Sequence, residues 1–153
     1  IWDRTLQLLT EKIILVQNPG FVDLNSPCGC VHGQIAYDLQ GNIYPCDEAR
    51  FNDKVLIGHV TQNTFYEITH SNKTLRLIEA SNINTNRCGK CPYQPWCGRC
   101  PVKNKLSFGS FDVHSKLTDN CKLWESIFDR FFELLDEKPH QIQKVASLIK
   151  SNT

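Results

Sequence analysis

The chain has 153 residues, 22% of them charged, with a formal net charge of +1. That length suits one domain, and so small a charge gives no overall field to select a nucleic acid or an anionic surface. No apolar run approaches a membrane span. Ile1 to Asn18 lacks the basic start and small-residue cleavage pattern of a signal peptide, so a cytoplasmic location is the expectation. The chain contains no methionine and opens on Ile1-Trp2, as a fragment or processed product would.

Trp2, Leu6, Leu9 and Ile13 follow helical spacing, with Leu8 and Leu15 widening the face. Asn18-Pro19-Gly20 ends that helix. Gln34 to Leu39 and Asn42 to Cys46 alternate apolar residues around Gln40-Gly41, which predicts a short antiparallel hairpin. Cys28 and Cys30 precede its first strand and Cys46 closes its second. A hairpin returns the chain to where it began, so these three sulfurs can meet. Ile57-Gly58-His59-Val60 is a short extended piece. Thr64 to Ile83 reads as one helix with Ile68, Leu75, Ile78 and Leu77 facing inward. Arg87 to Lys105 carries four cysteines and little aliphatic character. On its own it buries too little apolar surface to order itself, and a metal centre would supply the missing cross-links. Trp124, Ile127, Phe128, Phe131 and Leu135 form a helical stripe, with Cys121 at or just before its start. Pro139 begins a last helix with Ile142, Val145, Ala146 and Ile149 on one face. The fold class is α+β: a small cysteine-rich domain with a short β-hairpin, two cysteine-bearing loops and flanking α-helices.

Eight cysteines are open to disulfide, zinc or iron–sulfur chemistry. Nothing indicates the oxidising compartment that disulfides need. The run Cys88-x2-Cys91-x5-Cys97-x2-Cys100 is too compressed for a zinc ribbon, whose cysteine pairs stand about 15–20 residues apart. In two-cluster ferredoxins a short run supplies three ligands to one cluster, and its last cysteine, followed by Pro, ligates the other. Here Pro101 follows Cys100. Cys28, Cys30, Cys46 and Cys100 then make one set of four, and Cys88, Cys91, Cys97 and Cys121 another. A zinc-binding interaction module using the same thiolates is the alternative.

The order Cys28…Gly41-x4-Cys46…Cys88-x2-Cys91-x5-Cys97-x2-Cys100…Cys121 resembles the SPASM domain, the auxiliary-cluster module of radical S-adenosylmethionine enzymes that mature peptides and proteins. Ser26-Pro27-Cys28, Cys46-Asp47-Glu48-Ala49-Arg50 and Cys97-Gly98-Arg99-Cys100-Pro101 are most similar to maturases of the His-Xaa-Ser peptide system. The resemblance implies two 4Fe–4S clusters, used for electron transfer and substrate positioning, in an oxidoreductase-like enzyme. Its partners would be an upstream radical barrel, a peptide or protein substrate and an electron donor or acceptor protein, with no nucleic acid and no membrane. S-adenosylmethionine and a third 4Fe–4S cluster would belong to the upstream barrel alone. The C-x3-C-x2-C motif that starts the radical reaction is absent from this sequence, so the 153 residues alone should be inactive. The division implied is 1–20 as a helix, linker or barrel end, 21–136 as the two-cluster domain and 137–153 as a C-terminal helix. The sequence departs from the family in the two residues Gly98-Arg99, where three are usual, and in the tight pair Cys28-Gly29-Cys30. Cys30 therefore either completes the first site or leaves one iron free to bind another group.

In sulfatase maturases of this family, an Asp at the position of Asp47 is proposed to take the substrate proton. The plainer reading of Asp47 is a turn carboxylate paired with Arg50. Arg87, Lys90, Arg99, Lys103 and Lys105 surround the cysteines, with no acidic residue between Ala80 and Phe111, and are read as charge compensation. Tyr93, Trp96, Phe108 and Phe111 are read as shielding from water. His32 lies close enough in sequence to Cys30 to be a ligand, although a surface histidine is the simpler reading. His59, His70, His114 and His140 follow no ligand pattern.

Overall fold

The computed structural model describes residues 3–82, 88–113 and 118–151. The expectations placed on Trp2, Ile83, Arg87 and His114 lie outside them. The order is α1 (Arg4–Leu9), β1 (Ala36–Tyr37), β2 (Asn42–Tyr44), β3 (Gly58–His59), α2 (Phe65–His70), α3 (Asn72–Ser81), α4 (Pro101–Phe108), α5 (Asp119–Glu137) and α6 (Pro139–Ser151). Three-residue 3₁₀ turns occur at Val22–Leu24, Asp47–Ala49 and Asp53–Val55. Helices around a small antiparallel sheet make this an α+β domain.

Asp3 caps α1 through its carboxylate, and the helix widens into a π turn over Thr10–Ile14 before ending at Leu15. Its end thus falls ahead of the expected Asn18-Pro19-Gly20. The hairpin forms with shorter strands than expected, in the register Ala36↔Tyr44 and Tyr37↔Ile43. Asp38 holds its turn, accepting hydrogen bonds from the Gln40 and Asn42 backbones, the Asn42 amide and the Tyr44 hydroxyl. These bonds outweigh burial, the largest opposing influence, and keep the Asp38 carboxyl below its ordinary pKa. The extended piece at Gly58 becomes a third strand beside β2.

The single helix expected over Thr64 to Ile83 is two. Thr64 and Glu67 close a capping box on α2. Ser71 then leaves the helical region, and its hydroxyl accepts the Thr74 N–H as the N-cap of α3. The break resets the helical phase. Thr74, Leu77 and Ala80 turn inward, while Leu75, expected inside, is 49% exposed. A second correction concerns Arg87 to Lys105. Its last five residues open helix α4, started by Cys100 as N-cap and Pro101 in the first turn and ended by left-handed Gly109. Val102 anchors it in the core.

Two cores result. One joins Val31, Ala36, Tyr44, Ala49, Val55, Leu77 and Val102 around Cys30 and Cys46. The other joins Leu8 and Leu9 of α1 with Leu24, Trp124, Phe128, Phe131 and Ile142, so both ends of the chain pack together. The expected stripe on α5 is present, with Trp124, Phe128 and Phe131 buried. On α6 the buried positions are Ile142, Ala146 and Ile149.

Candidate metal centres

None of the eight cysteines is in a disulfide. Cys28 and Cys30 lie on a loop that curls back on itself, with Gly33 N–H donating to Gly29 O at 2.6 Å and Val31 N–H to Pro45 O at 2.9 Å. Gly29 sits at φ +82°, a left-handed turn that a side chain would strain. It lets two thiols one residue apart turn toward each other. Cys46 follows β2 and caps the Asp47–Ala49 turn. Cys100 caps α4, and its Sγ accepts the Lys103 N–H at 3.4 Å. The hairpin, a 3₁₀ turn and the start of α4 thus bring the first set together.

The electrostatics register this convergence. The Cys28 thiol is lowered to about 7, first by its hydrogen bond with Cys30. Cys30 is raised, first by that same bond, then by burial and by charge on Cys28, Cys46 and Cys100. Burial likewise raises Cys46, against N–H bonds from Ala49 and Glu48.

The other four thiols lie around a cavity. Cys88, Cys91, Cys97 and Cys121 line a cavity of about 590 Å³, together with Lys90, Arg99, Lys103, Thr118, Trp124 and Glu125. Cys100 also contributes to its wall. Cys97 is pushed up to about 12, first by burial and then by Cys121, Cys91 and Cys88. Neighbouring thiols that raise the pKa of Cys97 are what like charges held close to it produce. A central cation would reverse that penalty. Among the described residues, which include all eight cysteines, no three metal-binding side chains close on a single ion-sized point. Soft thiolates around a roomy cavity suit an iron–sulfur core, which holds its ligand sulfurs apart on different irons.

Thr118 caps α5 by accepting the Cys121 N–H at 3.1 Å, so Cys121 lies in the first helical turn. Aromatic rings dock the facing loop on the same helix. Tyr93 stacks on Phe128 at 5.0 Å and Trp96 packs on Phe132 at 5.3 Å. The Tyr93 hydroxyl donates to Asp129. Phe111 packs at the edge of the first core, whereas Phe108 is half exposed at the cavity wall.

The basic residues are arranged otherwise than their clustering suggests. Arg99 is 7% exposed, and it donates to Asp112 at 2.9 Å and to the Val113 carbonyl at 2.6 Å. Its Nε is buried without a hydrogen-bond partner among the described residues. Lys103 pairs with Asp23 at 3.3 Å, and Lys105 donates to Gly109 O. Simple compensation of thiolate charge by these cations is therefore reduced by carboxylates distant in sequence. Asp23 is the neighbour of the cysteine run that sequence reasoning missed. It belongs to a 3₁₀ turn far from the cysteine run, with no local signal beyond its charge.

Asp47 is 72% exposed and pairs with Arg50 at 3.2 Å, the arrangement of a turn carboxylate. His32 is exposed. His59 bonds Gln40 O and Thr61, and His70 stacks on Tyr66. No helix among the described residues is long and apolar enough to cross a membrane.

Residues 28–101 match the SPASM family, an iron–sulfur cluster-binding domain. The chain is 31% identical over 121 residues to the cysteine-type anaerobic sulfatase-maturating enzyme of Clostridium novyi (strain NT), covering 78% of this chain and 30% of that enzyme. It is 27% identical over 128 residues to the enzyme of the same name from Clostridium perfringens (strain 13 / Type A), covering 83% of this chain and 32% of that enzyme. The chain thus spans about a third of the length of these relatives. No solved structure matches it.

Proposed function

From the match of residues 28–101 to the SPASM family of iron–sulfur cluster-binding domains, we infer that this chain is the auxiliary-cluster domain of a radical S-adenosylmethionine enzyme that modifies a peptide or protein. The observation that supports the reading is the placing of the thiols: Cys30 and Cys46 lie in a core with Cys28 against it, Cys88, Cys91, Cys97 and Cys121 lie around a cavity, and Cys100 touches both. Cys28, Cys30, Cys46 and Cys100 would hold one 4Fe–4S cluster, and Cys88, Cys91, Cys97 and Cys121 the other. Such clusters supply one-electron redox chemistry at potentials set by charge, hydrogen bonds and solvent access. The chain's own groups set those conditions. The Lys103 N–H donates to the Cys100 sulfur, which favours its thiolate form. Trp124 stands in the wall of the second site, and Tyr93 and Trp96 fasten its loop to α5.

Partners under this reading are an upstream barrel that binds S-adenosylmethionine with its own cluster, a peptide substrate and a protein that exchanges electrons. Both sulfatase-maturating relatives support a protein substrate. Asp47 sits beside Cys46 with its carboxylate in solvent, open to a substrate laid across the first site, and would accept the substrate proton at its carboxylate oxygen. A zinc module is less favoured, because one zinc ion needs four ligands within about 2.0–2.3 Å.

The test uses the intact enzyme. Cys121→Ala should leave cleavage of S-adenosylmethionine largely intact while peptide product falls much further. Asp47→Asn should keep the iron and lower product formation by about 10²–10⁴-fold, the usual worth of general acid–base catalysis. Unchanged product yield in Asp47→Asn would return Asp47 to a turn carboxylate. Unchanged yield in Cys121→Ala would refute a working role for the second site.

A further inference from the structure

A second cavity, of about 490 Å³, opens between the two cysteine-bearing loops. Cys28 and Gly29 of one loop and Gln94 and Pro95 of the other stand in its wall. The 3₁₀ turn Val22–Leu24 runs into the same wall through Leu24 and Asn25, and that turn is fixed from behind. Gly98 N–H donates to Asp23 O at 2.7 Å. A Cβ on Gly98 would lie 2.6 Å from the carbonyl oxygens of Val22 and Asn25, so only glycine lets the turn seat this closely. The Asn25 amide closes the turn by donating to Phe21 O at 3.0 Å. The cavity is thus preformed by backbone contacts.

Its chemistry has one sign. Among the described residues no carboxylate lines it, and Lys12 is its one charged residue. Lys12 comes from the π turn that follows α1. Its Nζ lies 3.5 Å from Asn25 Oδ1, at the limit of hydrogen-bond distance, and a lysine ammonium has three donors to place. Asn18 stands in the same wall. Its Oδ1 accepts the Gly20 N–H at 3.0 Å, which fixes the amide and makes its NH₂ the end that donates to a ligand. A concave site with one cation and an amide donor is complementary to a carboxylate.

We propose that this cavity binds an acidic side chain of the substrate, so that peptides carrying Asp or Glu are preferred. The inference rests on reading the chain as part of an enzyme that modifies a peptide or protein. A carboxylate seated here lies against both cysteine-bearing loops, so one anchor fixes the peptide relative to both. Thiolate charge at Cys28 repels a carboxylate, and the Lys12 ammonium has to outweigh it. Lys12 is therefore a specificity-determining residue that takes no part in the chemistry.

The experiment is a ligand-observed NMR titration of the full chain, reconstituted anaerobically with iron and sulfide. The probes are acetyl-Gly-Asp-Gly-amide and acetyl-Gly-Asn-Gly-amide, which differ in charge and hardly in shape. Wild type should bind the Asp peptide about fivefold more tightly, the upper end of what one partly screened ion pair contributes. Lys12→Met should remove that preference, and Lys12→Arg should keep it. Equal binding of the two peptides by wild type would overturn the proposal, as would a preference that survives in Lys12→Met. Iron counted on the same samples separates this outcome from the cluster reading. A brown, iron-loaded chain that ignores peptide charge would sink the acidic-peptide site alone, whereas a colourless chain whose preference depends on Lys12 would support the site and contradict the clusters.

Discussion

Cys30 and Cys46 are 2% and 6% exposed and pack with Val31, Ala36, Tyr44 and Leu77. Cys88, Cys91, Cys97 and Cys121 instead ring a cavity whose loop is turn-like from 88 to 96. The first set is a by-product of a folded core, in which strand pairing and burial already fix three of its four sulfurs. The second set is held by rings stacked on one face of α5 and by turns of a few residues. A site embedded in a core inherits the stability of that core, whereas a loop site depends on what it binds and on the helix it leans against.

The largest expected break in this comparison comes at Phe128, which is fully buried and stacks on Tyr93. Phe128→Ala should cost about 3–5 kcal/mol, measured by denaturant unfolding of the reconstituted chain. Its iron loss should fall on the second site first. Equal loss from both sites would mean that the aromatic dock does not distinguish them.

Removal of metal sharpens the same contrast. After chelation, hydrogen exchange at the Cys91, Gln94, Trp96 and Cys97 amides, which bond within the loop, should speed up far more than at the β1–β2 pairs. Uniform change along the chain would contradict a loop ordered by its ligand. The smallest effect is expected at the hairpin turn. Asp38→Ala leaves the Tyr44 hydroxyl without the acceptor it has now and should lower the unfolding temperature. Adding Tyr44→Phe should recover part of that loss, since removing both partners of a hydrogen bond costs less than removing one. No recovery would mean that Asp38 acts through the turn backbone alone.

Much of this was legible in the sequence. Alternation around Gln40-Gly41 located the hairpin, and the spacing from Trp124 to Phe131 located α5, because in both cases burial acts on one regular period. The proposed grouping of the cysteines rests on their order and on Pro101. What was not legible depends on contacts distant in sequence or on caps. Ser71 split one expected helix by a hydroxyl-to-backbone bond, which moved Leu75 outward and Leu77 fully inward. Cys100 as an N-cap with Pro101 behind it, and Gly109 beyond, were start and stop signals for α4 masked by a segment read only as a metal loop. The carboxylates of Asp23 and Asp112, which answer Lys103 and Arg99, stand outside the basic run, so composition along the chain gave that run more free charge than the fold leaves it.

The central claim is that two separate cysteine sets each hold a cluster, and iron and sulfide counting on site-specific variants tests it most directly. Wild type reconstituted under anaerobic conditions should be brown and carry about eight irons and eight sulfides per chain, as two 4Fe–4S clusters require. Cys46→Ala and Cys97→Ala should each lose up to about half of that content, from different sites, and the double variant should lose most of it. A colourless wild type holding zinc would contradict the account, as would a wild type with about four irons that both single variants abolish.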